Sequence, residues 1–258
     1  MTTWVVYASE VASFIGEHRY QPTYETMLKI LARANRITYE SLDQRRQKVL
    51  SKMMNVTKVT QTQEIISTEM ISQCVDHAIK KQKISEEEAL ILRDHLPQIT
   101  NQLQGQASEL RLVHTENIQE NNTELKRYRI SDNILIVGRI DGLLNNHLIE
   151  IKRRVRPIQP KQPIPPYDKI QCFCYMKMTG QEQITLKELG SKQTSRDTVI
   201  DWEAAEWKRI EEKIAQGILK LDHLSVDQLT TFQLYVEHQE WEKCHALLVH
   251  TAPETPVN

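Results

Sequence analysis

No apolar run in this chain approaches the ~18 residues of a membrane-spanning helix, so no span is expected. The opening MTTWVVYASE has no basic segment followed by a long apolar stretch and a cleavage site, so it does not read as a secretory signal. Cysteine is scarce: Cys74, Cys172, Cys174 and Cys244 make no CxxC pair. That argues against an iron–sulfur site and suits free thiols in a reducing compartment. The nine histidines show neither HxH nor HExxH spacing, so none is assigned to a metal. A net charge of −1 gives no global attraction to nucleic acid. There is no internal repeat and no low-complexity tract. What remains is a chain of 258 residues, long enough to bury a sizeable core as one domain, or as one domain with an appendage.

The first hundred residues read as helical. A short helix is expected over 8–16, with Ser9 as its N-cap, and an amphipathic one over 22–34 that starts at Pro22. A basic helix follows over 38–55. Ile65, Ile66, Met70, Ile71, Cys74, Val75 and Ala78 then form one apolar stripe. Ser85 and Glu88 make a capping box for a helix to about His95. Leu96-Pro97 breaks it, and a further helix runs to Ile118. Beyond it the pattern changes to strands. LKRYRI, NILIVGRID and HLIEIKRR are read in antiparallel order, and ITLKEL and TVIDWE as a hairpin about GSKQT. A helix opens after the proline-rich PIQPKQPIPP and ends at Gly180, and two more are expected over 203–220 and 225–239. TAPETPVN is a polar tail.

The stretch VGRIDGLLNNHLIEIK carries the most chemical information. Asn145-Asn146 is a turn pair between an apolar strand and an alternating return strand. Asp141 and Glu150 can then lie side by side at one end. Glu150 and Lys152, two apart, share a strand face. Two carboxylates and a backbone carbonyl, that of Ile151, suit Mg²⁺, with Mn²⁺ as a substitute. A metal-bound water is acidified enough to attack phosphorus. Lys152 could orient that water or balance charge on phosphate oxygens. D…ExK alone is also what a surface hairpin with an ordinary Glu–Lys pair would show.

Two further features surround the hairpin. Gly105 and Glu109 form GxxxE upstream, and YDKIQCFCYMKMTG downstream places Gln171 in the first turns of a helix, after Tyr167. In that order, GxxxE, GRIDG, EIK and YDKIQ…Y resemble the PD-(D/E)xK nuclease superfamily. Within it, the chain is similar to the phage lambda exonuclease and YqaJ-like viral recombinase group, which shares its core with the RecB nuclease domain. The likeness covers roughly residues 105–190, and more weakly the opening YASEVASFIGEHRYQPTYETML. It implies Glu109, Asp141 and Glu150 as metal ligands, Lys152 as the catalytic lysine and Gln171 beside the site. It places the N-terminal segment near a DNA end, with Ser9 and Arg19 as phosphate contacts. It departs at Glu10, where many such proteins carry aspartate, and in a helical insertion over about 40–100.

The implied fold is α+β: an α/β/α restriction-endonuclease-like core with a central mixed sheet, flanking helices and a helical N-terminal region. The expected units are 1–100, helical and packing on the core; 101–222, the nuclease core; and 223–258, a C-terminal helix and flexible tail. Charge is uneven. Arg33, Arg36, Arg45, Arg46, Lys48, Lys52 and Lys58 enrich the first quarter, and Lys152, Arg153, Arg154, Arg156, Lys161 and Lys169 follow the motif. Cations near the track are what phosphate neutralisation needs. Arg139, Arg154, Arg156 and Tyr167 join Ser9 and Arg19 as expected DNA contacts. The leading reading is a Mg²⁺-dependent exonuclease acting on duplex ends in recombination or repair, within a virus or mobile element. Its expected setting is intracellular, in the cytoplasm or nucleus of a host cell. A single-strand annealing protein and further copies of the chain are candidate partners. The alternatives are a structure-specific endonuclease, a DNA-binding module without turnover, and an unrelated α+β interaction protein.

Overall fold

Trp4–Tyr7 is a strand, β1, in the stretch expected to precede the first helix. Its alternation is the reason: Trp4 and Val6 are fully buried while Tyr7 is exposed. This computed structural model describes residues 2–57, 66–119, 124–191, 194–238 and 240–250. Lys58, Ile65, Glu120, part of the GSKQT turn and the TAPETPVN tail lie outside the described residues. After β1 a 3-10 turn, Ala8–Glu10, runs straight into α1, Val11–Phe14. Ser9 is therefore inside the turn and not an N-cap. Glu10 is held by Arg33, which also reaches the Val5 carbonyl at 3.1 Å. That pair ties β1 to α2, Thr23–Arg33. Pro22 caps α2 from an extended conformation and is not its first helical residue.

Four helices follow: α3 (Leu42–Thr57), α4 (Thr68–Lys80), α5 (Glu86–Arg93) and α6 (Leu96–Glu116). The Ser85–Glu88 capping box is formed as expected. Val49, Met53, Ile71, Val75, Leu92, Ile99 and Leu103 bury one another in a core of their own. β1, α1 and α2 belong instead to the main core. The first hundred residues are thus not one helical region. Residues 4–34 are part of the main body, and the appendage begins at α3.

The strand order is β1-β3-β2 in one sheet and β4-β5-β6-β7 in another. β2 is Lys126–Ser131, β3 Ile134–Gly138, β4 Gly142–Leu144, β5 His147–Arg153, β6 Gln183–Leu189 and β7 Ser195–Asp201. β1 runs parallel to β3, and β2 antiparallel to it. β5 pairs antiparallel with β4 and parallel with β6. The expected antiparallel run of three strands is corrected here. NILIVGRID leaves extended pairing at Arg139–Asp141, so β3 and β5 do not pair and the sheet divides in two. The class is α+β with helices on both faces, as the sequence indicated. α7, Pro166–Thr179, and α8, Ala204–Asp222, pack with α1 and α2 in the main core. α6 covers the opposite face, where Val113 and Ile118 meet Ile149 and Ile151. α9, Val226–Glu237, is followed by α10, Trp241–His250, which the sequence reading left out. No helix among the described residues is long and apolar enough to cross a membrane.

Gly138 marks the closest approach of β3, the N-terminal turn and α7. A Cβ there would stand 2.9 Å from Tyr175 Cε1, 3.0 Å from the Ala8 Cβ and 3.1 Å from Met178 Cε. Gly138→Val should overpack this junction, cost about 1–3 kcal/mol and lower the melting temperature by several degrees. An unchanged melting curve would mean that the junction yields freely.

Candidate active site

Asn145 and Asn146 both have left-handed φ values, 52° and 63°. Two such residues form the tight turn whose twist suits a hairpin, so β4 and β5 are joined in the register Gly142↔Ile149. β4 begins only at Gly142, which leaves Asp141 beside Glu150 and the Ile151 N–H without a β4 carbonyl. The Asp141 carboxylate takes that place: Oδ2 accepts the Ile151 N–H at 2.6 Å. In a strand, the N–H and C=O of one residue point to the same edge. The Ile151 carbonyl is therefore on the Asp141 side and not spent on β6. β4 is in turn pinned to the segment after α6, because Gln119 and Leu143 exchange both backbone hydrogen bonds at 2.7 Å.

β5 alternates, and the alternation sorts the chemistry. Ile149 and Ile151 face α6. Leu148 enters the main core with α7, and Glu150 and Lys152 share its face. The Lys152 ammonium pairs with Glu150 Oε1 and donates to Gln171 Oε1 at 3.0 Å. Gln171 donates to the Tyr175 hydroxyl, one turn on, at 2.7 Å. Glu150 is 1% exposed, and among the described residues its buried Oε2 meets no N–H donor, its polar neighbour being the Asp141 carboxyl. An unsatisfied anionic oxygen is costly to bury.

Electrostatics register the crowding. Burial, then Asp141, raises the Glu109 carboxyl from 4.5 to about 7, with Lys152 opposing. Burial also raises Asp141, against Lys152 and the Ile151 N–H. Burial and Asp141 push Glu150 well up. Burial works against the Lys152 ammonium, but Glu150 and Asp141 outweigh it and its pKa rises. Ionising all three carboxyls would gather more negative charge than the one lysine neutralises. A divalent cation would relieve this. Among the described residues no three His, Cys, Asp or Glu side chains are grouped to hold an ion as they stand. Mg²⁺ does not require three, because it keeps several waters and is commonly held by one or two carboxylates. Glu150 Oε2, Asp141 and the Ile151 carbonyl fit that donor set, with Glu109 close enough to feel Asp141.

The expected DNA contacts divide. Ser9 and Arg139 are both exposed and line a cavity of about 220 Å³ whose wall includes Tyr175, the residue that Gln171 contacts. Arg19 is exposed, and Tyr167 is half-buried in the first turn of α7. Arg156 is exposed. Arg154 is the correction. Its guanidinium pairs with Asp168 and Glu188 at 2.7 Å each, and those carboxylates are only 4% and 2% exposed. It shares the Lys152 face as alternation required, but what it meets there is buried acid. Glu188 is further bound by Arg196. Sequence reading missed this cluster because Glu188 and Arg196 are distant in sequence from Arg154, and Asp168, although part of YDKIQ, was given no role. It recorded Tyr175 only as part of the pattern; the i,i+4 spacing to Gln171 was the available signal.

No protein-family model matches the chain, and no curated protein matches it. Among solved structures it is similar to the alkaline exonuclease LHK-Exo from Laribacter hongkongensis, at 14% identity over 93% of this chain and 94% of that one, with a TM-score of 0.42. The same exonuclease in complex with dAMP aligns at 15% identity over the same shares, again with a TM-score of 0.42. A phage related exonuclease from Haemophilus somnus aligns at 13% identity over 89% of this chain and 96% of that one, with a TM-score of 0.36.

Two outcomes follow from the geometry of the site. Because the folded chain holds the Glu109 proton more tightly than the unfolded one, this group favours folding below about pH 4.5, and the benefit is gone above about pH 7. Glu109→Gln should therefore raise the melting temperature of metal-free protein by a few degrees at pH 8 and leave it nearly unchanged at pH 4.5. A difference independent of pH would exclude Glu109 as the titrating group. Arg154→Ala should strand Asp168 and leave Glu188 with one partner, at a cost of about 3–5 kcal/mol. Arg156→Ala should fold normally. Denaturant midpoints for the two variants would separate these roles, and equal stability would return Arg154 to the surface.

Proposed function

We propose that this chain is a metal-dependent deoxyribonuclease of PD-(D/E)xK type, acting as an exonuclease on double-stranded DNA ends in recombination or repair. One observation carries the reading: Asp141, Glu150 and Lys152 meet at one spot, with a buried Glu150 oxygen that no N–H donor reaches among the described residues. Asp141, Glu150 and the Ile151 carbonyl, with Glu109 adjacent, would hold Mg²⁺, or Mn²⁺ in its place. When bound, such an ion supplies Lewis-acid polarisation and a water acidified toward neutrality.

The chain's own residues do the rest. Lys152 stays protonated and fixes a positive charge where a phosphate's non-bridging oxygens gather negative charge. Gln171 sets the direction of that ammonium, and Tyr175 sets Gln171. Asp141 holds its carboxylate through the Ile151 N–H, so it needs little reorganisation before the reaction. Ser9 and Arg139 offer a hydroxyl and a guanidinium on the Tyr175 side for the flanking phosphate.

The test is end-labelled linear duplex beside a covalently closed circle, with Mg²⁺, with Mn²⁺ and with EDTA. Linear DNA should be degraded, the circle spared, and EDTA should stop the reaction. Asp141→Ala and Glu150→Gln should each reduce the rate on the order of a hundredfold or more while circular dichroism stays that of the wild type. Cutting of the circle would favour the endonuclease, and binding without cleavage the inert module. Activity of Asp141→Ala above about a tenth of wild type would exclude this metal site.

A further inference from the structure

We propose that His18, Tyr20 and Tyr167 form a stacking platform for an unpaired nucleobase at the mouth of the site, with Arg19 placed for the adjoining phosphate. The location assumes the nuclease reading; the base-binding chemistry does not.

The three rings form a cluster at the surface, with Tyr167 packed against the edge of the main core. His18 and Tyr167 are nearly stacked, with centroids 4.5 Å apart and planes tilted by 31°. Tyr20 stands edge-on to both, at 6.5 Å from His18 and 6.4 Å from Tyr167. Tyr20 is 72% exposed. A single exposed tyrosine is ordinary. An exposed ring propped against two others is a surface on which a further flat ring can stack, and such stacking is sequence-tolerant because every base has a π face.

The platform is held rigid from within. His18 Nδ1 accepts the backbone N–H groups of Tyr20 at 3.2 Å and Gln21 at 3.0 Å. Both donors are fixed, so Nδ1 must be the unprotonated nitrogen and the ring proton is on Nε2. The imidazole is therefore neutral. Its pKa is lowered by burial, which outweighs the carboxylate of Asp168. Among the described residues Nε2 has no hydrogen-bond partner, so its proton is available to a base or phosphate oxygen. Arg19 supplies the charge. Its guanidinium lies 5.5 Å from the Tyr20 ring centroid, and it is exposed and outside every ion pair among the described residues.

Position completes the argument. Tyr167 precedes Gln171 by four residues, so the two share a face of α7, about 5–6 Å apart at Cβ. Gln171 touches Lys152. The platform is therefore within a few nucleotide steps of the ammonium, on the same wall of the site.

The test uses the full chain in EDTA, so that binding is read without turnover. The probes are a duplex with a short single-stranded overhang carrying 2-aminopurine, the same duplex with blunt ends, and a covalently closed circle. Wild type should quench the 2-aminopurine on binding. Tyr20→Leu should lose the quench and bind the overhang about tenfold more weakly, with blunt-end and circle binding unchanged. Tyr20→Trp should retain both. Arg19→Ala should weaken overhang binding and flatten its salt dependence. Binding of the overhang by wild type without quenching would overturn the platform, as would an equal loss for Tyr20→Leu on all three probes; the latter would make the rings a protein-packing feature. Quenching without any cleavage in Mg²⁺ would keep the platform and remove the nuclease reading. Cleavage without quenching would do the reverse.

Discussion

Two carboxylates set side by side out of water repel each other, and one ammonium cannot fully compensate them. Asp141, Glu150 and Lys152 are in that condition, with Glu150 almost wholly shielded from solvent. Left to itself such a group would protonate or swing outward. Its surroundings hold it: the Ile151 N–H grips Asp141, Gln171 and Tyr175 fix the lysine, and apolar side chains on the other face of β5 lock the strand between two helical layers. Instability held at one point by packing elsewhere is usual where a protein exerts a field on a ligand.

The break between the two sheets follows from the same requirement. Had β3 run on to pair with β5, the Ile151 N–H would have gone to a backbone carbonyl, and no side chain would be needed there. Beginning β4 only at Gly142 opens one ladder position, and Asp141 fills it. Gly142 has no room for a side chain: a Cβ would overlap Ile118 and stand 2.7 Å from the Gln119 carbonyl. Close packing on one side of the backbone thus fixes where the carboxylate on the other side must be.

Much of this was legible in the sequence, and the reasons differ by feature. The Asn-Asn turn and the alternation of LIEIK are local signals, so the hairpin end, the shared face of Glu150 and Lys152, and Gly180 as a left-handed helix cap could be read directly. The capping box at Ser85 is local too. β1 was missed because four residues of WVVY are too short for periodicity to speak, and the partner that makes them a strand lies more than a hundred residues away. The division of NILIVGRID was invisible for a similar reason, since apolar β-branched residues continue through it. Arg154 was placed on the correct face, but what that face meets depends on Asp168 and Glu188, which only the tertiary fold brings there. The expectation of one helical unit to residue 100 failed because apolar stripes say that a helix is buried, and not against which core.

α6 belongs to both hydrophobic bodies outside the main core. Ile99, Leu103 and Ala107 face the helical appendage, and Val113 faces β5. Glu109 is on the turn between them. The helix therefore works as a phase gauge. Each residue advances it by about 100°, so a single insertion between Ala107 and Glu109 would turn either the appendage face out of its core or Glu109, with Val113, away from Asp141 and β5. The appendage can diverge widely in sequence and loop length, but the number of residues from its last buried contact to Glu109 is fixed by the geometry of the helix itself.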